Sequence, residues 1–301
     1  MPADGSELCS VCGNDKLTLH SKGHGHAVDP DAFGSSRTKL SVADILRCDA
    51  CGFAFTRVRP DGERLAELYR DLDAEVYEAE APGRLKTAWR HLNILHNYAA
   101  PPGRLLDVGC ASGLFLGLAT DAGWESVGIE PSTVLWERAR RELRGRAEVL
   151  HCMLQTASIP ATSFSVVTMW DVLEHVPHPR EFLTLASSLL KKGGMMLLNV
   201  PNFDSLQARV FKRSWPLLLP EHLNYFNRRS LHQLAKTAGL ELVAFGSRPA
   251  VFTLKYIMYR LGQHGLPGAP ALERFCSQSA VGDWLVPIFM GEIYSVWNKA
   301  E

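Results

Sequence analysis

One stretch limits what this chain can fold into more than any other: Leu105-Leu106-Asp107-Val108-Gly109-Cys110-Ala111-Ser112-Gly113. Leu105 to Val108 reads as a short buried strand, and the glycine-bracketed turn after it opens a helix over Gly113 to Ala122. Glycine lacks a Cβ and tolerates positive φ, so such a turn lets backbone approach a ligand closely. Downstream the pattern alternates. Strands are expected at Val127–Glu130, near Val149, and at Ser165–Trp170 and Met195–Val200. Helices are expected at Ser132–Leu143, Pro179–Leu190 and Ser230–Ala238. Strands Leu240–Phe245 and Glu292–Trp297 close the chain. This alternation predicts an α/β fold with a doubly wound, mainly parallel sheet. A ligand then belongs outside the carboxyl ends of the strands, where strand order switches.

The turn is not a dinucleotide fingerprint. That motif reads G-x-G-x-x-G, whereas Gly109 and Gly113 are separated by three residues and Ala111 stands where the second glycine would be. This disfavours an NAD-dependent enzyme. Glu130 ends the second strand, 21 residues after Gly109, where a carboxylate can accept hydrogen bonds from both hydroxyls of a ribose. Upstream, Leu65, Leu68, Leu72 and Val76, then Trp89, Leu92, Leu95 and His96, recur at helical spacing. Pro101-Pro102-Gly103 breaks that pattern. The organisation expected is a small module over 1–58, a helical linker or cap over 59–100, and a ligand-binding domain over 101–301.

Five segments, in order, resemble the class I S-adenosylmethionine-dependent methyltransferases, Rossmann-like enzymes: "LLDVGCASG", "VGIEPS", "SFSVVTMWDVLEHVPHP", "LLKKGGMMLLNVPN" and "EHLNYFNRRSLHQLAKTAGLELV". The resemblance covers about residues 104–300. It implies a seven-stranded sheet whose last strand runs antiparallel, and S-adenosylmethionine as cofactor. It places Asp107, Gly109, Cys110 and Gly113 at the methionine end of the cofactor and Glu130 on its ribose. Gln155, with the Met153–Leu154 backbone, falls beside the adenine, and Trp170 and Asp171 beside the sulfonium. Ser165 stands where the family often has Asp.

Methyl transfer from a sulfonium is an in-line displacement, so the protein mainly aligns nucleophile, carbon and sulfur. A hydroxyl acceptor must also lose a proton, which histidine suits near neutrality. His175, after "DVLE", and His222, in "LPEHLNYF", are the candidate bases, with His222 favoured and a rate rising with pH through roughly 6 to 7 expected. Each has a structural alternative: fixing a turn for His175, organising a loop for His222. Asp171, Glu174 and His175 also resemble the acidic-His cluster that some quinone-pathway O-methyltransferases use for a divalent metal, although the first position there is often Glu.

Cys9-x-x-Cys12 and Cys48-x-x-Cys51 are each followed by glycine and lie 35 residues apart. Two such knuckles can set four thiolates around a structural Zn²⁺. "RCDACGFAFTRVRP" followed by "LAELYRD" resembles the zinc-ribbon-plus-helix start of many bacterial methyltransferases. His20, His24 and His26 lie between the pairs and read as solvated loop residues; Cys152 and Cys276 read as packed thiols. The odd total of seven cysteines, with no signal-peptide pattern over Met1–Cys12, argues against a disulfide scaffold and for a cytoplasmic protein.

Lys+Arg and Asp+Glu each number 32, so no basic excess points to nucleic acid, and no apolar run approaches the ~18 residues of a membrane span. The partner expected is a small-molecule methyl acceptor. Residues 247–290 form an insertion with aromatic and aliphatic side chains. They are read either as a lid for an apolar or lipid-linked acceptor or as packing, including a homodimer contact. The reading is O-methylation of a sugar, quinone-like or polyketide-like acceptor. Its alternatives are C-methylation of a nucleotide-linked deoxysugar and a cofactor-binding adaptor without catalysis.

Overall fold

A computed structural model describes residues 7–23, 43–60, 64, 67, 80–263 and 268–300. The helical positions Leu65, Leu68, Leu72 and Val76, like His24 and His26, lie outside the described residues. Within them the expected seven-stranded sheet is present. In chain order its strands are β4 (Arg104–Val108), β5 (Glu125–Ile129), β6 (Glu148–Leu150), β7 (Phe164–Trp170), β8 (Leu190–Pro201), β10 (Leu240–Gly246) and β13 (Glu292–Lys299). Their spatial order is β10-β13-β8-β7-β4-β5-β6. β4 to β8 pair in parallel, and β13 runs antiparallel between β8 and β10. Order reverses on either side of β4, so the crevice opens where β4 and β7 end, as the alternation predicts.

Helices cover both faces: α1 (Ala81–His96), α2 (Leu114–Asp121) and α3 (Thr133–Leu143), then α4 (Pro179–Leu189), α5 (Leu206–Phe211) and α6 (Arg228–Thr237). Four-residue spacing decides which faces they bury. In α1, Ala88, Leu92 and Leu95 join Leu105, Phe115, Val166 and Leu197 in one cluster. The sequence reading set α1 in a helical linker or cap over 59–100; its buried face packs into the core of the sheet. Residues 190–194, expected as helix end and turn, extend β8, because Leu190 pairs with Phe164 of β7.

The N-terminal module has strands β1 (Leu17–Ser21), β2 (Ile45–Cys48) and β3 (Ala54–Thr56) in an antiparallel sheet. A fourth strand, β9 (Asn224–Tyr225), comes from the other end of the chain and pairs with β3. The boundary at 58 is therefore crossed by one sheet. It is also crossed by the core, since Cys9, Val11, Phe53 and Phe55 cluster with Phe226, Leu231 and Leu234. Polar ties follow the same seam. Arg180 donates to the Ser10 and Val11 carbonyls. Arg59 donates to Pro177 O at 2.6 Å and lies over the Phe55 ring.

The insertion folds as strands β11 (Ala250–Thr253) and β12 (Leu285–Ile288), paired antiparallel, around helices α7 (Leu254–Gln263) and α8 (Ala269–Ser277). It docks on the start of α1. Buried Glu80 accepts from Thr253 N and Oγ1 at 2.6 and 2.7 Å, and Val251 N donates to Thr87 Oγ1. Leu272, Phe275 and Trp284 remain exposed on it.

Candidate functional site

The turn after β4 is held by the strand beside it. Gly109 N and Cys110 N both donate to Ile129 O, at 2.8 and 3.0 Å. Gly109 and Gly113 have φ of +74° and +80°, conformations that a side chain strains, and Gly113 caps α2. Glu130 braces this turn: one carboxylate oxygen accepts from Ala111 N and the other from Ser132 N, both at 2.8 Å. Each oxygen retains a second lone pair for a ligand hydroxyl. Burial pushes Glu130 up to about 7 against those two N–H donors.

Asp107 faces inward. It is buried and accepts from Thr168 Oγ1 at 2.7 Å, tying β4 to β7, and burial raises it to about 7. Cys110 is buried in the turn, its thiol pushed up by desolvation. Gln155 lies on an exposed 3₁₀ turn, Leu154–Thr156, beyond β6.

At the end of β7, Trp170 stacks on His91 of α1, with ring centroids 4.0 Å apart and planes within 6°, and meets Phe115 of α2 edge-on. Burial drives His91 down to about 3, so it is neutral. Asp171 follows with φ +57°, an uncommon conformation for a residue with a side chain. It is fixed there twice: its N donates to Asn199 O at 3.1 Å, and Asn199 Nδ2 donates to its Oδ1 at 2.7 Å. Glu292, at the start of β13, also hydrogen-bonds Asn199 and is pushed up to about 8 by burial and by the Asp171 charge. Asp171 itself is lifted to about 6 by the protein around it, although its side chain stands open to the crevice.

The two candidate bases, 47 positions apart in sequence, come together. The His175 and His222 rings lie edge to face, with centroids 4.8 Å apart. His175 Nδ1 is 3.0 Å from Glu221 O, and His222 Nδ1 is 2.8 Å from Leu217 O. A carbonyl only accepts, so in the neutral rings Nδ1 carries the hydrogen and Nε2 the lone pair. Burial lowers His175 to about 4, and burial together with the neighbouring His175 holds His222 well below the usual imidazole range. The expected titration between roughly 6 and 7 therefore does not fit these rings, because the buried site disfavours the charged imidazolium. Their two segments are stitched together: Leu223 N donates to Glu174 O, and Asn224 Nδ2 donates to the Leu173 and Val176 carbonyls.

In the N-terminal module the four expected sulfurs converge. Cys9 and Cys51 Sγ are 3.6 Å apart, Cys12 and Cys48 Sγ 3.5 Å, and all four lie within 4.8 Å of one another, without disulfides. Tetrahedral Zn–S bonds of ~2.3 Å put sulfurs about 3.8 Å apart, so the donors fit that ion. Amides of Val11 and Cys12 point at Cys9 Sγ, and those of Asn14 and Phe53 at Cys12 and Cys51, which favours thiolates. His20 stacks edge-on against Phe203 instead of turning to the sulfurs.

Sequence reasoning missed Asn199, Glu292 and His91. Asn199 had a signal, a lone amide inside the apolar run of "MMLLNVP"; Glu292 and His91 had none.

Comparisons with known proteins agree with this geometry. A family described as "Methyltransferase domain" matches residues 77–244. The chain is similar to a mitochondrial ubiquinone biosynthesis O-methyltransferase of Schizosaccharomyces pombe, 29% identical over 126 residues, covering 40% of this chain but only 44% of the relative. It is also similar to the ubiquinone biosynthesis O-methyltransferase of Nitrosococcus oceani, 28% identical over 194 residues, 60% of this chain and 79% of the relative. Among solved structures, the complex between the Haloferax volcanii Trm112 methyltransferase activator and the putative methyltransferase contains a similar chain. That match has a TM-score of 0.54, 15% identity and coverage of 81% of this chain and all of the other, a likeness of fold.

Proposed function

The chain belongs to the methyltransferase-domain family of class I S-adenosylmethionine-dependent enzymes, and on that premise we propose that it methylates an oxygen of a small, quinone-like acceptor. The observation that carries the oxygen acceptor is the His175–His222 pair beyond the end of β7, both rings neutral and both with Nδ1 engaged by a carbonyl. The names of the two O-methyltransferase relatives point the same way. The turn from Gly109 to Gly113 takes the methionine end of the cofactor, Glu130 its ribose hydroxyls and the 153–155 segment its adenine. Trp170 and Asp171 stand at the sulfonium, and Asp107 holds the turn from below.

In the reaction, an acceptor hydroxyl gives its proton to Nε2 of one histidine while its oxygen attacks the methyl carbon. The O–CH₃ bond forms as the S–CH₃ bond breaks, and sulfur keeps the electron pair. S-adenosylhomocysteine and a methyl ether leave, and the imidazolium returns its proton to water. Burial keeps the imidazoles unprotonated before the step but also makes them weaker bases; in the transition state the attraction between a developing phenolate and a developing imidazolium offsets that cost.

The four cysteines would hold one structural Zn²⁺, whose chemistry is to cross-link the knuckles. The chain's own residues supply the rest by pairing β3 with β9. The test is single-turnover methylation of a panel of catechols and phenols. His222→Ala should lower kcat by ~10²–10⁴ with S-adenosylhomocysteine affinity unchanged. Near-wild-type rates in both His222→Ala and His175→Ala would refute the base assignment.

A further inference from the structure

We infer that Glu292, acting through Asn199, positions Asp171 to recognise the sulfonium charge, so that the crevice tells S-adenosylmethionine from its neutral thioether product. The inference rests on the placement of the sulfonium beside Trp170 and Asp171 proposed above. Glu292 and Asn199 add what that placement leaves open, a means of separating the two forms of the cofactor.

Strand register brings the three groups together. Asn199 of β8 lies opposite Trp170 of β7 on one side and Tyr294 of β13 on the other. Glu292 comes two residues before Tyr294, so its side chain stands on the same face of the sheet, one step nearer the mouth of the crevice. With Thr87 and His91 of α1, the residues Asn199, Glu292 and Tyr294 line one small cavity. Asn199 Nδ2 donates to Asp171 Oδ1 at 2.7 Å, and the same side chain hydrogen-bonds Glu292. An amide nitrogen carries two hydrogens, and here a carboxyl group takes each. Glu292 therefore anchors the amide from behind, and the amide holds the Asp171 carboxyl, whose backbone has left the strand conformation at φ +57°.

The surrounding charges leave one anion in this network. Burial lifts Asp171 to about 6, with Arg84 of α1 opposing it. Burial and the Asp171 charge lift Glu292 to about 8, so near neutrality the charge rests on Asp171 and the proton on Glu292. Glu174, in the turn after β7, is raised well up by burial and then by Asp171, and adds no charge. His91 is neutral. Of the other cations around the cavity, Arg90 donates to Pro249 O and Arg248 lies 5.9 Å from the centre of the Tyr294 ring.

S-adenosylmethionine and its product differ by one methyl group and one positive charge. A carboxylate held beside the sulfur attracts the first and not the second, and the attraction vanishes as the methyl group leaves. Two ionised carboxyls would stabilise the bound sulfonium further and raise the barrier to transfer. A neutral Glu292, which orients Asp171 without adding charge, avoids that.

The test is calorimetry on the full chain near neutral pH. S-adenosylmethionine and S-adenosylhomocysteine are titrated separately, and the readout is the ratio of their affinities. Contacts with the ribose, adenine and amino-acid parts are common to both and cancel, so a merely structural defect weakens both alike and leaves the ratio unmoved. Asp171→Asn should lower the preference for S-adenosylmethionine by roughly three- to tenfold, the scale of one charge within reach of the sulfonium. Glu292→Ala should lower it in the same direction by about twofold or more. Glu292→Gln, which keeps an oxygen to accept from Asn199, should restore it. If Glu292→Ala does not fold, Asn199→Ala reads the same link. A ratio unmoved by Asp171→Asn overturns the sulfonium placement and the inference with it. A ratio lowered by Asp171→Asn but unmoved by Glu292→Ala, or lowered equally by Glu292→Gln, leaves the placement standing and overturns the inference alone.

Discussion

Asn224 offers the sharpest test of how the acceptor side is built. It is fully buried, and its Nδ2 donates to Leu173 O at 3.1 Å and Val176 O at 2.7 Å. Those bonds clamp the turn that carries Glu174 and His175 against β9. Asn224→Ala takes the donor from two carbonyls, at ~1–3 kcal/mol for each left unsatisfied. Against this, Asn224 Oδ1 has no hydrogen-bond partner among the described residues, so its removal returns about 1 kcal/mol. The net expectation is a loss of about 1–5 kcal/mol. Asn224→Asp should cost more, because a carboxylate cannot donate and would face two carbonyl oxygens. Urea unfolding with linear extrapolation measures the stability, and calorimetry with S-adenosylhomocysteine should show cofactor affinity within twofold of wild type. A loss below ~0.5 kcal/mol for alanine, or an aspartate variant more stable than the alanine one, would refute the clamp.

Three further outcomes follow from the cofactor turn, α1 and the cysteines. Only the ionised Glu130 carboxylate accepts from both ribose hydroxyls, and its folded value sits at about 7. S-adenosylhomocysteine affinity should therefore fall by up to ~10-fold per unit as pH drops below 7, and Glu130→Gln should bind more weakly with a flat profile in calorimetry. His91 is held near 3, below its unfolded value of ~6.5, so the unfolded chain binds the proton first. Stability from this group is present above pH ~6.5 and lost as pH falls toward 3, at up to ~1.4 kcal/mol per unit. His91→Phe, which keeps a ring on Trp170, should flatten that slope in denaturant titrations between pH 6.5 and 4.5. Finally, the protein should carry one Zn²⁺ per chain at the cysteines, by elemental analysis, and Cys48→Ser should lose it. Because β3 pairs with β9, the same variant should also speed amide exchange at Asn224–Phe226; unchanged protection there would separate the zinc module from the acceptor side.

Local signals made much of this legible in the sequence. Leu105–Gly113 combines a strand, a turn that needs positive φ and a helix start. Glu130 stands at a fixed distance from it, and the Cys-x-x-Cys-Gly pairs need only two turns to converge. What could not be read is what distant segments do to one another. β9 is two residues long and has no periodicity of its own; its strand state comes from Ala54 and Phe55, about 170 positions away. The histidine pair was named, but its titration was misjudged, because sequence does not show that both rings would be desolvated against each other. Asn199 enters the site because β8 pairs in parallel with β7, where it lies opposite Trp170, and Glu292 because β13 returns antiparallel beside β8.

The shared four-stranded sheet also bears on how such a protein can be rearranged in evolution or in the laboratory. A catalytic portion cut free after residue 58 would lose the cover over Tyr225 and Phe226 and present Asn224–Tyr225 as an open edge, a template for strand addition by another molecule. A ribbon exchanged for that of a relative would need a partner strand matched to the alternation of Phe55 and Thr56. Homologues that lack the cysteine module should either carry a different cover over the "LNYF" segment or have reshaped it.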